Sequence, residues 1–148
     1  MITATVGQEF AGFLLGCPLL VRKNQFADAL EFFKAAHIDP SHCYYYSDVI
    51  VVPAFQRQGV AKKLFTTLEQ QVRKWGYQAV CLVSVERNKD HPLRPSNYDD
   101  TDTVWRHLGF IKSTIYTKDS WPTFIDLDGT VEMREHLLVF WIKELTNC

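Results

Sequence analysis

The chain has 148 residues, a formal net charge of -1, and 47% hydrophobic and 22% charged residues. That length predicts one domain, residues 1–148, with a sizeable core, and the composition is ordinary for a soluble globular protein. The charge points to no nucleic-acid or anionic-membrane partner, no apolar run reaches the ~18–20 residues of a membrane span, and the start, Met1-Ile2-Thr3-Ala4, lacks the basic and long apolar regions of a signal peptide. Cys17, Cys43, Cys81 and Cys148 form no C-x-x-C pair. That argues against zinc, predicts no metal, and fits free thiols in a reducing cytoplasm. Cys81 reads as core and Cys148 as a frayed terminus.

Residues 2–6 and 9–16 flank Gly7-Gln8 and predict a hairpin. Over residues 25–36, Phe26, Leu30 and Phe33 fall at helical spacing, with Asn24 as N-cap and Asp39-Pro40 as the stop. Residues 44–52 are aromatic and β-branched and predict a central strand. A helix follows over 59–75, with Val60, Leu64, Leu68 and Val72 on one stripe and Gly76 as its end. Residues 79–85 predict a short buried strand. Residues 87–100 break the pattern with prolines and charges. A short helix over 102–108 stops at Gly109, and 110–116 predicts another strand. Residues 121–127 read as strand or loop, and 134–145 as a strand, with a helix as the alternative. This order implies α/β or α+β layering.

The densest signal is Val51-Val52-Pro53-Ala54-Phe55-Gln56-Arg57-Gln58-Gly59-Val60-Ala61. It ends a β-branched run and opens an amphipathic helix. The first N–H groups of a helix have no intrahelical partner, and the helix dipole favours an anion there. The expected ligand therefore carries phosphate. The spacing is neither a Walker loop nor a dinucleotide fingerprint, since Gly59 is the loop's single glycine. Gly59 lets backbone approach a pyrophosphate, Ala61 leaves room, and Arg57 adds charge.

Gln56-Arg57-Gln58-Gly59-Val60-Ala61 resembles the Q/R-x-x-G-x-G/A signature of the GCN5-related N-acetyltransferases, with Ala at the last position. Val51-Val52-Pro53-Ala54-Phe55 is similar to that family's V-x-P-x-[YF] lead-in. Trp105-Arg106-His107-Leu108-Gly109-Phe110 resembles its Y-x-x-x-G-F helix ending, and Asn88 resembles an Asn that contacts coenzyme A. The likeness covers residues 2–116. His91-Pro92-Leu93-Arg94-Pro95, Tyr98, Trp105 and Phe140-Trp141 also resemble a bacterial acetyltransferase subgroup.

The resemblance implies a mixed, mainly antiparallel sheet flanked by helices, with a splayed strand pair at an acetyl-CoA site. It implies acetyl-CoA as co-substrate and an amine acceptor, on a small molecule or a side chain. Its cofactor-binding residues would be Val51, Val52, Gln56, Arg57, Gln58, Gly59, Val60, Ala61 and Asn88. It starts at the family's second strand, so the first strand and helical pair of the acceptor wall are expected to be missing.

The family's acid Tyr aligns with Trp105, whose indole N–H cannot protonate a thiolate. By the same alignment Tyr45 and Ser47 stand where a base is often placed. A Tyr hydroxyl, with an ordinary pKa of about 10, is a poor base, so a water relay is the expected role. Alternation points Asp48 to the opposite face. The proline-rich segment offers Tyr98 as replacement acid, His91 as a group that exchanges protons near neutral pH, and Arg94 as a clamp for an acceptor carboxylate. His37, His42, His107 and His136 read as surface or capping residues.

The leading expectation is an acetyl-CoA-dependent N-acetyltransferase. The alternative is a non-catalytic coenzyme A-binding or interaction module with a degenerate site. A homodimer is a third possibility, with Val139-Phe140-Trp141-Ile142 supplying the interface.

Overall fold

The computed structural model describes residues 1–98 and 100–145. The elements follow the expected order: β1 Ile2–Val6, β2 Glu9–Pro18, α1 Ala27–Ala35, β3 Cys43–Val51, α2 Val60–Lys74, β4 Ala79–Val85, α3 Thr101–His107, β5 Ile111–Phe124 and β6 Val131–Glu144. Cys148 lies outside the described residues. The strands form one six-stranded sheet in the order β1-β2-β3-β4-β6-β5. Only β3 and β4 run parallel, and every other pair is antiparallel. This is the mixed α+β layering that the order of elements implies. Among the described residues no helix is long and apolar enough to cross a membrane.

The sheet is covered on both faces. On one face α2 presents Val60, Leu64, Phe65, Leu68 and Val72 to Leu14, Tyr44, Tyr46, Val80 and Trp141. On the other, α1 presents Phe26, Ala29, Leu30 and Phe33 to Tyr45, Cys81 and Phe140. Burying one such large apolar side chain stabilises by roughly 1.5–3 kcal/mol. Two covered faces explain why Cys43–Tyr46 and Leu138–Ile142 are buried without alternation.

Several expectations need correction. Phe26, not Asn24, occupies the N-cap of α1, and no side chain caps it. The reason is local: the 3-10 turn Leu19–Arg22 and the Phe26 N–H bond to Arg22 O (3.0 Å) delay the helix. His37, at φ 59°, ends α1 as a glycine would, and the Ile38 N–H closes onto Phe33 O at 2.9 Å. β5 is one strand through residues 117–120, where a break was expected. Pro122 is tolerated because β5 is an edge strand. Val139-Phe140-Trp141-Ile142 is core, at most 8% exposed, and so supplies no dimer interface.

A bulge also corrects the face of Asp48. Leu15 pairs with Asp48 and Gly16 with Tyr46, which leaves Ser47 as the extra residue of β3. Val49 and Val51 then pack with Tyr44 and Tyr46. The side-chain phase has slipped by one, and Asp48 shares the face of Tyr45.

Glu69 on α2 ties three elements together. It accepts from Arg73 Nη2 (2.8 Å) and from Lys143 Nζ on β6 (2.6 Å), and Lys143 also donates to Leu108 O (3.1 Å). Partial burial pushes the Glu69 carboxyl up, but the hydrogen bonds from Lys143 and Arg73 outweigh it and hold the pKa below its usual value. A depressed folded-state pKa gives stability that is present above the unfolded value and lost as pH falls through the folded one. Glu69→Gln should therefore flatten the acid side of a stability–pH curve measured by urea unfolding. An unchanged acid side would disprove the contribution.

Beside this network the Tyr46 hydroxyl is buried without a hydrogen-bond partner among the described residues. Tyr46→Phe removes an unsatisfied group and keeps the ring among Phe65 and Phe110. The expected change in urea-unfolding free energy runs from neutral to a gain of about 1 kcal/mol. A loss of that size would show that the hydroxyl is satisfied.

Candidate active site

The parallel pair β3–β4 is matched at three positions: Cys43 with Ala79, Tyr44 with Val80 and Tyr45 with Cys81. Beyond them β3 runs on to Val51 and β4 to Val85 with no further pairing between them. The strands splay into a wedge. Two glycines of β2 let β3 swing close to it. A Cβ at Gly16 would meet the Tyr44 ring at 2.5 Å, and one at Gly12 would meet Ile50 O. The Ser47 bulge adds a local bend.

Amide direction on β3 sorts Val51 from Val52. The Val52 N–H donates to Ala11 O at 2.9 Å. It is committed to β2, which corrects its expected use as a ligand donor. Gly12 and Val51 are the next opposed pair. By the alternation of antiparallel ladders, the Val51 N–H faces the wedge.

At the mouth of the wedge, a 3-10 turn over Pro53–Phe55 leads into the loop before α2. Gln56 Nε2 donates to Val51 O (3.1 Å) and Gln58 Nε2 to Ala54 O (2.9 Å). These two side chains brace the loop from within. Arg57 (φ 61°) and Gly59 (φ 82°) both adopt left-handed backbone. A Cβ on Gly59 would meet nothing within 4 Å, so the requirement there is conformational and its surroundings are open.

The start of α2 suits an anion. Gly59 offers no side-chain cap, and the first turn holds no acidic residue. Lys62 and Lys63 stand there instead, against the helix dipole. The Lys63 N–H makes its bond to Gly59 O (3.0 Å). The N–H groups of Val60, Ala61 and Lys62 precede it, in the turn whose donors lack intrahelical acceptors. A pyrophosphate fits this set of donors and charges.

A cavity of about 670 Å³ lies at the C-terminal end of β4, the same end of the sheet as the loop. It brings together Asn88, His91, Arg94 and Tyr98, all singled out from the sequence. Its far wall is the β5–β6 arm, through Trp121, Thr123 and His136. Asn88 Oδ1 accepts from the Asp90 N–H (2.9 Å), which turns the segment. The Arg94 guanidinium lies over the Tyr98 ring at 4.7 Å. His91 Nδ1 accepts from the Leu93 N–H at 3.1 Å. His136 stacks on Trp121 (3.8 Å, 11°), and its Nε2 is 2.7 Å from Thr123 Oγ1.

His136 escaped the sequence reading because its partners lie on another strand. Only the β5–β6 register places it beside Trp121 and Thr123. Ser47 sits half-buried at the bulge beside the wedge. Tyr45 does not join the site. It is 6% exposed and packs edge-on against Phe26, and burial pushes its hydroxyl pKa well up. Trp105 packs half-buried on the face opposite, edge-on to Phe65, with its Nε1 buried and without a partner among the described residues. Among the described residues no group of three or more acidic, His or Cys side chains could hold a metal.

A splayed parallel pair with an uncapped helix start at its mouth leaves two adjoining sets of backbone donors for a ligand that is anionic at one end. The sequence matches the model of the acetyltransferase (GNAT) family over residues 2–94, more than half of the chain, so the chain belongs to that family and is an acyltransferase. No curated protein matches it in sequence. Solved structures share the fold at low identity. The ribosomal-protein-S18-alanine N-acetyltransferase of Escherichia coli is 17% identical, with a TM-score of 0.56, over 97% of this chain and 67% of that one. An acetyltransferase of Bacillus subtilis in complex with CoA gives 15%, 0.59, 97% and 75%. A Bacillus anthracis protein described as a streptothricin acetyltransferase, in complex with acetyl coenzyme A, gives 13%, 0.59, 97% and 61%.

The Gln56 brace is open to test. Gln56→Ala should speed amide hydrogen exchange across residues 52–60 several-fold and leave the middle of α2 unchanged. Equal exchange in the loop would show that the brace contributes nothing.

Proposed function

We propose that the chain transfers the acetyl group of acetyl-CoA to an amine, on a small molecule or a side chain, by direct attack of the amine nitrogen on the thioester carbonyl. One observation carries this reading above the others: the wedge and the uncapped, lysine-bearing start of α2 lie at the same end of the sheet as a cavity large enough for an acceptor. The family membership and the complexes of similar folds with CoA and acetyl-CoA support the co-substrate.

The roles follow from position. The first turn of α2, with Gly59, Val60 and Ala61, receives the pyrophosphate, and Arg57 adds charge at the loop. Gln56 and Gln58 hold the loop in shape. The Val51 N–H supports the pantetheine arm and polarises the carbonyl. The bound co-substrate supplies an activated acyl group. Asn88 shapes the cavity rim, and Arg94 offers a planar fork to an acceptor carboxylate. Tyr98 lines the cavity and takes the acid role that Trp105 cannot fill. Ser47 orders water at the bulge. We place the reaction in the cytoplasm, on the support of three unpaired thiols, Cys17, Cys43 and Cys81.

Calorimetric titration with acetyl-CoA tests the site, followed by release of free CoA thiol with an amine panel. Micromolar binding is expected, lost by at least tenfold in Gly59→Glu, which sets bulk and negative charge where the pyrophosphate lies. Thiol release with at least one amine is expected from the wild-type chain. Binding without transfer across the panel would favour the non-catalytic CoA-binding reading. No binding would overturn both.

A further inference from the structure

The cavity holds two histidines, and counting protons separates their roles. A backbone N–H can only donate, so the bond from Leu93 N–H makes His91 Nδ1 an acceptor. The neutral His91 ring therefore carries its proton on Nε2. Protonating Nδ1 would break the bond to Leu93. His91, in the cavity lining, thus offers a donor at Nε2.

Thr123 Oγ1 lies 3.1 Å from Trp121 O and 2.7 Å from His136 Nε2, and its one proton can serve either acceptor. With that proton on Trp121 O, Nε2 must donate, and the neutral ring keeps a lone pair on Nδ1, for which no partner is found among the described residues. The Trp121 stack fixes the ring plane.

From this wiring we propose that His136, through Nδ1, is the general base that takes the proton of the acceptor ammonium. The inference rests on the acetyltransfer reading above. The ammonium gives one proton to Nδ1, forming imidazolium and a neutral amine. The amine nitrogen bonds to the carbonyl carbon and the C–S bond breaks, its electron pair leaving with sulfur. The second amine proton passes to the thiolate, and the imidazolium proton goes to water. The products are the acetamide, free CoA thiol and one proton.

The charges around His136 come from four segments. On β5, Asp119 is its cross-strand partner. On β6, Glu135 is paired with Lys118 and Arg134 with Glu132. At the end of β4 stand Arg87 and Glu86, the latter paired with Lys112. The proline-rich segment adds Arg94 over Tyr98. The rival carboxylate is Asp48, exposed beside the wedge.

Two measurements test the base. Long-range ¹H–¹⁵N spectra of the whole chain, without substrate, should show the Nε2–H tautomer at both histidines, and Thr123→Val should mix the tautomers of His136 alone. An Nδ1–H tautomer at His136 in the wild type overturns the proposal whatever the activity. In steady-state kinetics, His136→Gln should lower kcat by about 100-fold with the KM for acetyl-CoA unchanged. The acid limb of its kcat/KM profile should move to the pKa of each acceptor amine. His91→Gln should raise the acceptor KM and keep the limb. A wild-type limb preserved in His136→Gln, or abolished in Asp48→Asn, overturns the base and leaves acetyl transfer standing. A wild-type chain that binds acetyl-CoA and acetylates no amine overturns the transfer reading and the base with it.

Discussion

The parting of β3 from β4 after Tyr45 and Cys81 governs the rest of the molecule. Backbone N–H and C=O groups need partners, and each one buried without a partner costs about 1–3 kcal/mol. A sheet that opens in its middle must hand those groups to water or to a ligand. The remaining strands do not share the defect: β4 pairs with β6 along its whole length, and β2 with β3 up to Val51. The opening is thus confined to one slot between two well-paired halves. The uncapped start of α2 stands at its mouth with a second set of unpaired donors. A ligand that is amide-rich along its length and anionic at one end answers both sets together.

The slot divides β3 into two stretches with different duties. Cys43 to Tyr46 is packed on both faces, with Tyr45 against Phe26 and Tyr46 against Phe65. From Ser47 onward the strand is half-buried or exposed. The bulge sits at the change. It spends one residue to reset the side-chain phase, so that Val49 and Val51 stay on the core face while the backbone bends away from β4. Tyr45 and Ser47, two residues apart, consequently have nothing in common. One is an aromatic anchor, and the other marks the beginning of the site.

Much of this was legible in the sequence. Helical spacing in α2, the Gly76 and Gly109 stops and the glycine-bearing loop that opens α2 depend on local pattern, and local pattern survives folding. Asn88, His91, Arg94 and Tyr98 were legible too, because a short proline-stiffened segment keeps them together. What escaped depends on pairing. The Ser47 bulge is set by the β2–β3 register, so alternation misplaced Asp48. Both faces of β6 are covered by helices from elsewhere in the chain, so Val139 to Ile142 read as interface when they are core. His136 gains its partners only when β5 lies beside it. No single-strand pattern holds that information.

The same dependence makes the β5–β6 arm a precision element. Beyond the Glu86 N–H bond to Leu137 O (2.9 Å), β6 runs toward its tip paired with β5 alone. A slip of β5 by one residue would turn Trp121 and Thr123 from the cavity to solvent and take both partners from His136. Two features pin the register. At the base, residues between Lys112 and Tyr116 bulge, and Ser113 Oγ donates to Phe140 O (2.8 Å) while accepting from the Ile115 N–H (3.0 Å). At the tip, Asp128 Oδ1 accepts from the Thr130 N–H (2.8 Å) and Thr130 Oγ1 (2.6 Å), and Ile125 N–H closes onto Thr130 O (3.0 Å). On α3, where the family likeness expects an acid Tyr, Trp105 packs half-buried against the core, edge-on to Phe65. A hairpin fixed at both ends can hold a histidine against the cavity with the accuracy that a free loop lacks, and so His136 keeps its place beside Trp121 and Thr123 only while both ends of the arm stay in register.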